Sequence, residues 1–115
     1  MTFDFTGTRI FIKPGATDLR KAAAGLSYQV RDEMKMKPLG GDVFLFCSRS
    51  RKLIKVLWWD KTGFWLAQKK LEKEKWPWPE TAERAQEISS EEIQLLLKGI
   101  NFWGAHKELH FADID

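Results

Sequence analysis

Residues 43–70, VFLFCSRSRKLIKVLWWDKTGFWLAQKK, decide the fold. Val43 to Cys47 is a continuous apolar run, which suits a strand buried on both faces. Ser48 to Lys52 is polar and basic and reads as a turn. Leu53 to Trp59 forms a second strand. Side chains alternate across a strand, so Ile54, Val56 and Trp58 share one face, while Lys55 and Trp59 lie on the other with Leu53 and Leu57. Asp60-Lys61-Thr62-Gly63 is a turn signal with Gly63 at its close, where a positive φ is expected. Phe64 to Lys70 is the third strand. Two short connections between consecutive strands imply an antiparallel meander.

Outward from this meander, Arg9 to Lys13 reads as a short strand between Gly7 and Pro14-Gly15. Leu19, Ala22, Ala23, Leu26, Val30 and Met34 recur at helical spacing, which predicts a helix from about Asp18 to Met36, capped by Thr17 or Asp18 and ended by Pro38 and Gly40-Gly41. Trp76-Pro77-Trp78-Pro79 cannot continue a central strand, because each proline lacks a backbone donor. Residues 80–87 read as an exposed connection. Ser89 and Glu92 fit a capping box that opens a short helix from about Ser90 to Lys98, stopped by Gly99. The expected fold is therefore α+β, a small antiparallel sheet packed against one long N-terminal helix, with a short C-terminal helix. Residues 1–103 are expected to form a single domain and 104–115 an acidic tail. A chain of 115 residues is one domain by size. Its six tryptophans and eight phenylalanines supply most of the bulk for a core.

The chemistry expected is binding and not catalysis. The sequence has neither a phosphate loop nor a nucleophile elbow. His106 and His110, with Glu108 between, have the spacing of two metal ligands on a helix but no third ligand in view, so no metal and no cofactor is expected. Asp4, Asp18, Asp42 and Asp60 fit a turn, a cap and strand boundaries better than a two-metal site. Cys47 is the single cysteine and cannot form an internal disulfide, which suits a reducing compartment. Met1 to Phe5 shows no signal-peptide pattern, and no apolar run is long enough to span a bilayer, so a cytoplasmic location without membrane contact is expected.

The net charge of +3 divides unevenly. Residues 1–79 hold 16 Lys or Arg against 8 Asp or Glu, and residues 80–115 hold 3 against 8. A basic body with an acidic end suits a polyanionic partner. The cations concentrate around one hairpin: Arg49, Arg51, Lys52 and Lys55, with Lys61, Lys69 and Lys70 at the edge and Arg20 and Lys21 on the helix. Several cations on one surface are what phosphate neutralisation requires. Trp59, on the face of Lys55, is positioned either to stack on a base or to cover a second apolar layer.

Asp18-Leu19-Arg20-Lys21 and Leu53-Ile54-Lys55-Val56-Leu57-Trp58-Trp59-Asp60 resemble stretches of a known transposon family. So do the F-x-F strand at Phe44 to Phe46, Lys70-Leu71-Glu72, Trp78-Pro79 and the late Leu96-Leu97-Lys98-Gly99-Ile100, in the same order. The chain resembles the accessory proteins of the insertion sequence 66 family, the TnpB type encoded by the second open reading frame of the element. The likeness spans about residues 9–102, and Ala22 stands where the family usually has glycine. The resemblance implies a product of a multi-gene bacterial insertion sequence, needed for transposition beside a separate and larger transposase that cuts and joins DNA. It implies as partners DNA, at the element ends, or the transposase, or both. It names no active site.

Overall fold

The structure is a computed structural model that describes residues 5, 7–81 and 86–98. In chain order the elements are β1 (Ile10–Ala16), α1 (Ala23–Asp32), β2 (Val43–Cys47), β3 (Leu53–Trp59), β4 (Phe64–Lys70), β5 (Gln86–Ile88) and α2 (Ser90–Leu97). They build one five-stranded sheet in the order β4-β3-β2-β1-β5. The hairpins β2–β3 and β3–β4 are antiparallel, with the strand limits the alternation predicts. The sheet as a whole is not an antiparallel meander. β1 and β2 run parallel, because α1 carries the chain back between them, and β5 adds antiparallel to the far side of β1. Periodicity within a strand carries no information about the direction of its partner, so the local pattern could not expose this pairing.

The long N-terminal helix is also absent. α1 has ten residues, and its N-cap, Ala22, has no side-chain cap hydrogen bond. Leu19 and Met34 sit in the same apolar cluster as Leu26 and Val30, but from the connections on either side of the helix. Their helical spacing therefore marks a shared core and not a continuous helix. At the far end the chain turns over at Lys35, with φ of 57°. That left-handed residue is usually glycine or asparagine, so a lysine gives no stop signal. Similarly, the β3–β4 turn takes its positive φ at Lys61 (84°) and not at Gly63. The short C-terminal helix is present as α2. Ser89 Oγ accepts from Glu92 N (3.0 Å) and the Glu92 carboxylate accepts from Ser89 N (2.9 Å), completing the capping box.

Both faces of the sheet carry a core, which is why β2 is apolar throughout and fully buried. On one face Phe11, Phe44, Phe46 and Leu57 meet Leu19, Leu26, Val30 and Met34. On the other, Ile10, Ile12, Val43, Leu45, Ile54 and Val56 meet Trp76, Trp78, Ile88, Ile93 and Leu96. The segment 71–79 thus folds across the sheet as a lid of indole rings. Trp76 Nε1 donates to Lys52 O (3.1 Å) and Trp78 Nε1 to Lys13 O (2.9 Å), so each buried ring satisfies its one polar atom. Gly15, with φ of 77°, lets its backbone meet this segment: its N–H donates to Pro79 O at 2.9 Å, and a Cβ there would lie 3.3 Å from Glu80 O. Gln86 and Glu87, the end of the expected exposed connection, belong to strand β5, and Glu87 pairs with Arg9 (3.0 Å). Gly99, His106, His110 and the 104–115 segment lie outside the described residues.

Candidate nucleic-acid interface

The expected cationic patch divides once the chain is folded. Arg51 and Lys69 are structural. The Arg51 side chain is 15% exposed and reaches Glu80 Oε1 at 3.3 Å. It also lies against Cys47, whose thiol burial pushes up to about 11 despite that neighbouring charge. Lys69 donates to Leu97 O at 2.7 Å, placing a cation at the C-terminal end of α2, where the helix dipole favours one. Lys69 also lies 5.8 Å over the Trp76 ring. Lys61 is exposed in the β3–β4 turn, at the opposite end of β3 from Ser50, roughly 20 Å away for a seven-residue strand.

Arg20, Lys21, Arg49 and Lys55 come together. Arg20 and Arg49 line one cleft of about 570 Å³, formed by the β1–α1 connection (residues 16–20) and the β2–β3 turn (residues 48–50) with Leu53 at its base. Lys55 Nζ donates to Lys21 O (3.2 Å), which joins the middle of β3 to the residue that follows Arg20. Lys21 Nζ donates to Gln29 Oε1 of α1 (3.1 Å). Lys70 pairs in register with Leu53 and so extends the same side. Lys52 is half-buried in the turn, with its carbonyl accepting from Leu71 N and the Trp76 indole.

Asp18 does not cap α1. Its Oδ1 accepts from Arg20 N (3.0 Å), and its carboxylate accepts from Arg20 Nε and Nη2 at 2.8–3.2 Å. These side-chain hydrogen bonds from Arg20, reinforced by the backbone one, hold the Asp18 carboxyl well below the usual carboxylate range. The pair fixes the Arg20 guanidinium at the cleft mouth, where its side chain is 91% exposed.

Trp58 and Trp59 lie on opposite faces, as the alternation requires. Both are half-buried, so neither ring stands clear of the packing. Trp59 meets Phe64 edge-on (centroids 5.0 Å apart) on the face of α1, covering the second apolar layer. Trp58 stacks on Trp65 (6.1 Å, 16°) on the other face. The exposed ring is Trp65, at 56%, with its indole N–H on the Asp60 carboxylate. Its position on edge strand β4, opposite Trp58, depends on register and could not be read from its own neighbours. A second groove was also not legible. It lies between α1 and the α1–β2 connection, is lined by Tyr28, Met36, Pro38, Leu39 and Phe64, and leaves Tyr28 56% and Leu39 58% exposed.

Among the described residues no helix is long and apolar enough to cross a membrane, and no cluster of three or more His, Cys, Asp or Glu is placed to hold a metal ion.

The chain is 36% identical over 94 residues to the protein y4hO of Sinorhizobium fredii, covering 82% of each chain. It is 30% identical over 96 residues to y4jC of the same organism, covering 84% of this chain and 82% of that one. Neither name carries a function. No solved structure matches significantly. The family model described as IS66 Orf2 like protein matches residues 8–107, which takes in all the elements above, and the chain belongs to that family of insertion-sequence accessory proteins.

Proposed function

We propose that this accessory protein binds DNA without catalysis and thereby helps assemble the transposition complex at the element ends. The observation that carries this reading is the cleft that Arg20 and Arg49 line together, with Lys55 bound to the backbone of the neighbouring Lys21 on the side of the sheet that holds α1. Among the described residues Asp18 is the one carboxylate lining that cleft, and Arg20 engages both its oxygens. Such a surface neutralises several phosphates and carries no base-reading element of its own, so it contributes affinity and register more than sequence choice.

Combined replacement of Arg20, Arg49 and Lys55 by Ala tests it. Each lost phosphate contact lowers the slope of log affinity against log salt by roughly 0.9, so the triple variant is expected to flatten it by roughly 2–3 units. Lys61→Ala, at the far turn, is expected to leave the slope unchanged. Equal slopes for the wild type and the triple variant would rule out this face.

Contact with the separate transposase is a second reading, favoured by the groove beside Tyr28 and Leu39. Large exposed apolar side chains grouped around a concavity are the usual mark of a protein contact. The two surfaces are distinct, so both contacts are compatible in one complex.

A further inference from the structure

The cleft beside Arg20 and Arg49 lies at the carboxyl ends of β1 and β2, the parallel pair joined through α1. Open sheets with parallel strands bind their ligands beyond those ends, where the connections diverge and leave a crevice. Among the described residues lining this crevice Asp18 is the one carboxylate, and Arg20 engages both its oxygens. Thr17, Ser48 and Ser50 carry hydroxyls, and Arg20 and Arg49 supply guanidinium groups.

Thr17 is the most buried of the three hydroxyl residues. It is 4% exposed, its backbone N–H is committed to Cys47 O (2.8 Å), and its Oγ1 has no hydrogen-bond partner. That oxygen is closed to solvent, so it offers no donor to a ligand in the cleft, and Thr17 serves there as wall. Ser48 and Ser50 share one hydrogen bond between their hydroxyls (3.1 Å), and both also accept from backbone N–H groups of the turn. One hydroxyl proton of the two is therefore left to donate. Arg49 is exposed and makes no ion pair among the described residues. Arg20 holds Asp18 through Nε and Nη2, which leaves Nη1 to donate.

We propose that this cleft is a seat for one phosphate group of a nucleic-acid strand, bound by Arg49 and Arg20 as cations and by the Ser48–Ser50 pair as hydroxyl donor. The proposal rests on the DNA-binding reading and deepens it from a charged face to a built subsite. A seat for one phosphate would fix the register of the backbone against the β2–β3 turn, which scattered surface cations cannot do.

The test is an NMR titration of the full chain, followed at the amides of Thr17, Ser48 and Ser50. One arm uses methyl phosphate, which stands for a strand end. The other uses dimethyl phosphate, which stands for an internal linkage. Sodium chloride at matched ionic strength is the control. Saturable shifts with at least one ester and none with chloride are expected, and the ester preferred identifies the source. Joint replacement of Ser48 and Ser50 by Ala removes both hydroxyls of the pair. It is expected to weaken the ester about tenfold or more, the usual weight of a hydrogen bond to a charged group, while the amide spectrum stays that of the folded chain. Arg49→Ala is expected to abolish saturation. Absence of saturable shifts, or unchanged affinity in both variants, would overturn the seat. DNA binding measured on the same samples separates the two ideas. DNA binding that survives without ester binding removes only the cleft proposal, whereas ester binding in a protein that does not bind DNA removes only the DNA reading.

Discussion

Replacing Trp76 by Ala probes the least expected part of the architecture, the indole lid. Trp76 is 2% exposed and packs in the core on the sheet face opposite α1. Truncating a buried tryptophan costs about 3–5 kcal/mol, from lost transfer energy and from the cavity left behind. The polar part adds little, because Lys52 O keeps a second donor in Leu71 N (2.7 Å) when the indole N–H is gone. A domain whose stability is typically about 5–15 kcal/mol loses a large share of it. At roughly 4 °C per kcal/mol, the thermal midpoint is expected to fall by about 12–20 °C. Urea unfolding followed by circular dichroism measures this, with an unchanged m-value if the native state stays compact. Trp65→Ala is the internal comparison. That ring is 56% exposed, stacks on Trp58 and donates to the Asp60 carboxylate, so about 1–2 kcal/mol is expected. A Trp76→Ala midpoint within 1 kcal/mol of wild type, or equal losses for the two variants, would refute the assignment of the Trp-Pro segment to the core.

Three further outcomes follow from local geometry. Ser89→Ala removes both a side-chain cap and the reciprocal Glu92 contact, and about 1 kcal/mol of stability should be lost in the same urea experiment. Asp18→Asn should leave the unfolding midpoint nearly unchanged, since Asp18 caps no helix, and should tighten DNA binding by removing the one negative charge in the cleft; weaker binding would contradict the charge assignment. Cys47 is fully buried, and burial raises its thiol from 9.0 to about 11. The folded state therefore retains a proton that the unfolded chain releases, so stability is full below about 9 and falls as pH rises towards 11. A thiol reagent should react slowly with the native protein and rapidly in urea; fast native labelling would contradict this.

The three meander strands were legible because each is bounded by a polar turn and shows either strict alternation or an unbroken apolar run. The capping box of α2 was legible because it is a four-residue signal. What the sequence concealed was non-local. Leu19 and Met34 join the core of Leu26 and Val30 from outside α1, and spacing alone cannot separate that from a longer helix. The three residues of β5 are too few to show a period, and their place beside β1 is set by pairing. Within the candidate site, Arg51 and Lys69 were indistinguishable from free cations until Glu80 and Leu97 O appeared beside them. Conversely, Arg20 and Arg49 converge only because a parallel crossover brings the start of the α1 connection to the β2–β3 turn.

The most direct measurement of the central claim is the affinity of the folded chain for element-end DNA, followed by fluorescence anisotropy across a series of salt concentrations. Three to five phosphate contacts from the Arg20, Lys21, Arg49 and Lys55 side predict a straight log–log plot with a slope of roughly −3 to −5. No binding at low salt, or an affinity indifferent to salt, would contradict it.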